Sequence, residues 1–200
     1  MIIAPIVALF EKVCSRWKPL ISLYSFPYKN VIAREIKIAK ICADDKVLNI
    51  GCGAVPFTAI MIAQSTQAHV VAIDNDLRAV ERAADCVKKM QLDHLISVKH
   101  FDGKNIDVKD FSAVLLALQT RPKNEIICRI LKESNSETRI IVRRPRAGLD
   151  SEYDPLPSDL SYCCKVLHPH MHTFDASVIY SSSLENHCHN KPFANRLVTE

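Results

Sequence analysis

Gly51-Cys52-Gly53 interrupts the apolar run Val47-Leu48-Asn49-Ile50, and Asp74-Asn75 and Asp102-Gly103 follow two later apolar runs. A glycine turn at the end of a buried strand leaves backbone N–H groups available, and two residues without side chains let a ligand come close to the main chain. An acid at the tip of the next strand can accept both hydroxyl protons of a ribose. Asp102 after a third strand can accept from an adenine amino group, or Asp102-Gly103 can be a simple turn. Together these residues point to a nucleotide-like ligand. A dinucleotide fingerprint would need a third glycine where Pro56 stands, and no Gly-Lys-Ser/Thr of a phosphate-binding loop follows.

His168, His170 and His172 alternate in a way that could set three imidazoles on one side of an extended segment, with His187-Cys188-His189 further on. Pro169 disturbs that geometry and no cysteine pair completes a structural zinc pattern, so no metal site is expected. The eight cysteines include no C-x-x-C and read as reduced, mostly buried thiols. The balance of 26 basic to 22 acidic residues lacks the basic tract of a nucleic-acid surface. Met1 to Phe10 is apolar but has no basic stretch before it, contains Pro5 and runs into Glu11-Lys12, so neither a signal peptide nor a membrane span is expected. The expected setting is cytoplasmic, with no nucleic-acid or membrane partner.

These residues need a scaffold, and the pattern supplies an α/β one. Ile2 to Trp17 reads as a short apolar helix, Leu23 to Tyr28 as an aromatic connector, and Asn30 to Ile41 as a helix capped by Asn30, with Val31, Ile32, Ile36, Ala39 and Ile41 near its buried side. Lys46 to Ile50 is the first strand, and Pro56 suits the start of the helix that follows the glycine turn. His69 to Asp74 is the second strand. Asp76 to Leu92 is an amphipathic crossover with Leu77, Val80, Ala84 and Val87 inward, and Ile96 to His100 is the third strand. Ala113 to Leu118, a helix from Pro122 to Ser134 and a strand from Thr138 to Val142 complete the alternation. Arg143 to Gly148 reads as a basic turn. Tyr162 to Leu167 and Ala176 to Tyr180 form an antiparallel pair closing the sheet. Such a doubly wound sheet collects ligands at the carboxyl ends of its strands, where Gly53, Asp74 and Asp102 fall. The expected division is an N-terminal helical and aromatic segment, 1–43, covering the site; a nucleotide-binding domain, 44–183; and a polar tail, 184–200.

The strand, G-x-G turn and Asp74 resemble the Rossmann-like S-adenosylmethionine-binding fold of the class I methyltransferases, with Asn49 in place of the usual acid and Val55 in place of a third glycine. The resemblance implies S-adenosylmethionine as co-substrate, held by Gly51, Cys52, Gly53, Asp74, Asn75, Asp102 and Gly103. A closer resemblance is to the nicotianamine synthases. Gly51-Cys-Gly-Ala-Val-Pro-Phe-Thr58 looks like their glycine-small-glycine-x-x-Pro-Leu-Thr turn, and Phe26-Pro-Tyr28 ahead of Glu35 is similar to their aromatic segment and helical glutamate. Ile141-Val-Arg-Arg144, Tyr153-Asp-Pro155, Val166-Leu-His-Pro169 and Ala176-Ser-Val-Ile179 resemble later segments.

This resemblance implies transfer of the 3-amino-3-carboxypropyl arm to a small-molecule amine or amino acid, releasing methylthioadenosine, toward a nicotianamine-like or opine-like metallophore. Methyl transfer to a small molecule is the alternative, and a non-catalytic nucleoside- or metal-binding module a third. The resemblance makes Glu35 the base toward the amine, with Tyr28 holding or relaying the proton; the plain reading of Glu35 is a solvated helix residue. Arg143, Arg144 or Arg146 could bind a substrate carboxylate, or form a solvated turn. Only about forty residues precede the core, and a homodimer would supply the missing cover.

Overall fold

The computed structural model describes residues 18–149 and 151–181, with side chains from Tyr28 onward. Helix α1 (Lys18–Ala39) leads into strand β1 (Lys46–Ile50), α2 (Phe57–Thr66), β2 (His69–Asp74), α3 (Leu77–Lys89), β3 (Ile96–His100), β4 (Ala113–Leu116), α4 (Lys123–Glu133), β5 (Arg139–Pro145), β6 (Cys164–Leu167) and β7 (Phe174–Tyr180). The seven strands form one sheet in the order β3-β2-β1-β4-β5-β7-β6. β1 to β5 are parallel, and β7 is antiparallel to both β5 and β6. The chain reverses its winding between β1 and β4, which opens a crevice at their carboxyl ends.

Alternation along each strand divides the core into two layers. Val47, Leu115, Ile141 and Ile179 face Ile32 of α1, Ala59 and Ile60 of α2 and Ala83 and Val87 of α3. Leu48, Val114, Leu116, Ile140, Val142 and Val178 face Ile126, Ile127 and Ile130 of α4. The same alternation puts Asn49, Arg143 and Ser177 on the α1 and α2 side, since each is two residues from a member of the first layer. Arg143 and Ser177 are cross-strand partners in the β5–β7 register.

The start of the chain departs from the sequence-based expectation. One helix runs from Lys18 to Ala39, so Leu23 to Tyr28 is no connector and Asn30 no cap. Pro19 lies in the first turn, where no donor is needed, and Pro27 interrupts the ladder by one bond without ending the helix. Of the expected inward residues, Val31, Ile32, Ala39 and Ile41 are buried and Ile36 is half-buried against the core. α1 stops as Lys40 takes a positive φ of 51° and the Ile41 N–H bonds back to the Ile36 carbonyl at 3.1 Å, with buried Ile41 closing the turn.

Smaller corrections follow from packing. Leu77 and Ala84 are exposed on α3, where Ala83 and Cys86 with Val80 and Val87 make the inner face. Arg143 to Pro145 extend β5 and are not part of a turn. Among the described cysteines only Cys52 and Cys86 are buried; Cys42 and Cys128 are exposed, and Cys163 and Cys164 half-buried. Among the described residues no helix is long and apolar enough to cross a membrane. The expected helix from Ile2 to Trp17, His187-Cys188-His189 and the tail from 184 lie outside the described residues.

Candidate functional site

The glycine turn is shaped by its two glycines, but its amides are engaged within the protein and not left available as the sequence reading expected. Gly51 and Gly53 adopt φ of 77° and 66°, conformations that favour glycine. The Gly51 and Cys52 amides donate to the Ile73 carbonyl at 2.9 and 3.0 Å, tying the turn to the end of β2. Asp74 braces it, accepting from the Gly53 amide at 2.8 Å on one oxygen and from the Asp76 amide at 3.0 Å on the other. Beyond β2, Asn75 is exposed and its carbonyl meets His100 Nε2 at 3.1 Å. Asp102 is half-exposed at the end of β3; its carboxylate accepts from the Lys104 amide at 2.9 Å, the turn the plain reading anticipated. Gly103 packs against Ile50, and a Cβ there would sit 2.5 Å from the Ile50 Cγ2. Every residue assigned to the cofactor therefore lies on one rim, at the ends of β1, β2 and β3. Phe101, 44% exposed beside Asp102, adds an apolar face to this rim that the sequence reading passed over.

Glu35 lies on the other side of the turn and is no solvated helix residue: it is 1% exposed. Its Oε1 and Oε2 accept from Arg143 Nε and Nη2, each at 2.9 Å, and Oε1 also accepts from the Ser177 hydroxyl at 2.6 Å. Arg143 Nη2 reaches the Thr58 hydroxyl at 3.2 Å, which joins the ion pair to the first turn of α2. Burial works to raise the Glu35 pKa, but the Arg143 charge, its hydrogen bonds and that of Ser177 hold the carboxyl below the ordinary value. The Arg143 guanidinium is shifted upward, burial opposing and the Glu35 charge prevailing.

Tyr28 and Phe174 flank this pair, their ring centroids 5.9 and 5.6 Å from the guanidinium carbon, a distance at which a cation is attracted to the ring face. Tyr28 and Glu35 are thus brought together around one guanidinium. A crevice too narrow to admit a water molecule is lined by Glu35, Asn49, Thr58, Leu115, Ala117 and Arg143. Asn49 is buried there, and its Oδ1 has no hydrogen-bond partner among the described residues. The buried Asn49 oxygen without a donor and the Asp74 carboxylate are acceptors of the kind that an ammonium group and ribose hydroxyls need.

The other arginines are engaged within the protein, which corrects both readings of the basic segment. Arg144 pairs bidentately with Asp175 at 2.8 and 2.7 Å, and Arg146 donates to the Met171 and Pro169 carbonyls at 2.7 and 3.0 Å. The three histidines do not share a side. His168 is buried, bonded through Nε2 to the Ser177 hydroxyl at 2.9 Å, whereas His170 and His172 are exposed. Burial pushes His168 down to about 4. Among the described residues no group of three or more His, Cys, Asp or Glu side chains is arranged to hold a metal ion.

Sequence reasoning missed Ser177 and His168 as partners of Glu35, and also Lys123. Fully buried at the start of α4, Lys123 donates from Nζ to the Leu118 and Asp154 carbonyls at 3.1 and 2.9 Å, and burial pushes it to about 8. It holds the Tyr153-Asp154 segment against the end of β4, where Tyr153 packs with Leu118, Val31, Met171 and Phe174. The only sequence signal for these groups was polar residues at positions whose spacing faces the core.

The architecture is similar to that of several solved structures. A Glu-to-Gln mutant of MtNAS in complex with S-adenosylmethionine matches with a TM-score of 0.74 at 21% identity, over 85% of this chain and 70% of that one. MtNAS in complex with MTA and tNA matches at 0.72 and 22% identity, over 85% and 66%. An RNA methyltransferase from Salinibacter ruber in complex with S-adenosyl-L-homocysteine matches at 0.64 and 14%, over 86% and 97%. At these identities the likeness is one of fold, the Rossmann-like fold of class I methyltransferases. No curated protein sequence matches the chain. The family model of the methyltransferase small domain matches residues 31–134, from the buried face of α1 to the end of α4 and so over half of the 200 residues; the chain belongs to that family.

Proposed function

We propose that this protein is an S-adenosylmethionine-dependent transferase that moves the 3-amino-3-carboxypropyl arm to a small-molecule amine or amino acid, with methylthioadenosine released. The observation that carries this reading is Glu35. A carboxylate on the helix preceding the core pairs with Arg143, which in turn bonds Thr58 in the first turn after the glycine segment, and it lines the same narrow crevice as Asn49. The nicotianamine synthase-like segments found in the sequence meet at this point, and the fold likeness to MtNAS, a nicotianamine synthase, supports the reading.

The bound sulfonium supplies an activated leaving group. Displacement forms a bond between the amine nitrogen and the γ-carbon and breaks the carbon–sulfur bond, whose electron pair stays on the neutral thioether. Gly51, Cys52, Gly53, Asp74, Asn75, Asp102 and Gly103 bind and orient the nucleoside side, Asp74 at the ribose. Pairing with Arg143 keeps Glu35 ionised, the form that accepts a hydrogen bond and then the proton from the amine. Its Oε2 accepts one hydrogen bond from the described residues, which leaves it acceptor capacity for an amine N–H. Tyr28 holds or relays that proton. Orientation selects which of the three sulfonium substituents reacts.

Chromatography of the nucleosides released from S-adenosylmethionine tests this, with histidine, glutamate or S-adenosylmethionine itself offered as amine. Methylthioadenosine is expected, and Glu35→Gln slows its release by roughly 10²–10⁴-fold per folded molecule. S-adenosylhomocysteine as the main product refutes aminocarboxypropyl transfer and favours the second reading, methyl transfer, which the family model supports.

A further inference from the structure

The carboxylate of Glu35 is not held symmetrically. Oε1 accepts from Arg143 Nε and from the Ser177 hydroxyl, while Oε2 accepts from Arg143 Nη2. Ser177 has a single hydroxyl hydrogen and gives it to Glu35, so its oxygen can only accept from His168 Nε2, 2.9 Å away. That fixes His168 as the Nε2–H tautomer, with a buried Nδ1 that has no hydrogen-bond partner among the described residues. Phe174 meets the imidazole edge-on at 5.5 Å and Ser177 is fully buried, so the arrangement is rigidly packed. We propose that Ser177 and His168 are positioning residues: the chain from His168 through Ser177 saturates Oε1 and so makes Oε2 the oxygen that meets the substrate amine.

The inference rests on Glu35 receiving the amine proton in the reaction proposed above, but part of its test does not. The groups that set the Glu35 titration come from several elements. They are Arg143 on β5, His168 ahead of β7, and, acting on those two, Tyr28 and Arg34 on α1 and Asp175 on β7. Of these only Arg143 donates to Oε1, through Nε, and that bond is already made in the native protein, so loss of the Ser177 hydroxyl leaves Oε1 one donor short.

The experiment compares Ser177→Ala, Ser177→Thr, His168→Leu and His168→Gln in the full chain, following the Glu35 carboxyl resonance with pH and, separately, the pH profile of kcat. Losing the donor destabilises the ionised carboxylate. Ser177→Ala therefore moves the Glu35 titration and the acid limb of kcat to higher pH, with kcat down by about 10- to 100-fold and KM for S-adenosylmethionine little changed. Ser177→Thr, which keeps the hydroxyl, restores the limb. His168→Gln, whose amide can still donate to Ser177, stays nearer wild type than His168→Leu.

A folded Ser177→Ala variant that loses activity while both titrations stay unmoved overturns the proposal, because a merely structural role predicts that result. Should Ser177→Ala not fold, the imidazole nitrogen resonances of the wild-type protein decide: an Nδ1–H tautomer of His168 overturns the inference, and Nε2–H supports it. Release of S-adenosylhomocysteine would defeat the proposed reaction without touching the carboxyl titration, so the two failures are distinguishable.

Discussion

Replacing Glu35 with Gln removes one charge from a buried pair and leaves its partner behind. Arg143 is 8% exposed and Glu35 1%, so the guanidinium remaining in the variant has little access to water. The amide oxygen of Gln can take over at one Arg143 nitrogen, but the amide NH₂ then faces the other, donor against donor. Breaking a buried pair from one side costs about 3–5 kcal/mol, and loss of the Ser177 hydrogen bond to a charged acceptor is contained within that figure. For a domain whose total stability is of the order of 5–15 kcal/mol, such a loss is large.

Removing both charges with Glu35→Gln and Arg143→Met together should cost less than the sum of the singles, with a coupling of about 2 kcal/mol or more. Urea denaturation of the four proteins in the cycle measures it, and rates must be quoted per folded molecule at a temperature where each variant is native. If Glu35→Gln unfolds at the wild-type urea midpoint and the singles add, the pair is solvated and the reasoning about both stability and site fails.

Asp74→Ala should weaken S-adenosylmethionine binding by about 1.5–3 kcal/mol in titration calorimetry, and equal affinities would remove Asp74 from the site. Gly51→Ala places a Cβ 2.8 Å from the Thr120 Oγ1 at a φ of 77°; a melting-temperature loss corresponding to at least about 1–2 kcal/mol is expected, and wild-type stability would contradict the turn geometry. His168 has a folded pKa of about 4 against 6.5 ordinarily, so the unfolded chain binds the proton first. Stability is unaffected above about pH 6.5 and falls as pH drops toward about 4, by up to about 3 kcal/mol. Glu35, held below its ordinary 4.5, adds a further loss as pH falls below about 4.5 toward its lowered folded value. Urea titrations across this range should show a shallower slope for His168→Gln, and an identical slope would refute the assignment. Turnover should survive chelation, because the sulfonium leaves without a Lewis acid; activity abolished by a chelator and restored by zinc would reverse that expectation.

The nucleoside side of the site was legible because it is local. Apolar runs broken by Gly51 and Gly53, by Asp74 and by Asp102 mark strand ends, and a doubly wound sheet brings successive strand ends together whatever the remaining contacts are. The third strand, Ile96 to His100, and the antiparallel closing pair followed from the same periodicity. The long helix α1 was not legible, since Pro27 reads as a stop when only local propensity is weighed, yet the helix runs on through it at the loss of one ladder bond. Glu35 stands three residues after Ile32 and four after Val31, on the buried stripe of α1, so its burial was written in the spacing; its partner was not. Arg143 is 108 residues away and Ser177 is 142. Strand parity places both on the α1 face, but only the antiparallel β5–β7 register sets them opposite each other beneath Glu35. A buried charge is stable only where its counter-charge arrives, and that meeting depends on sheet order and register, which no local stretch of sequence encodes.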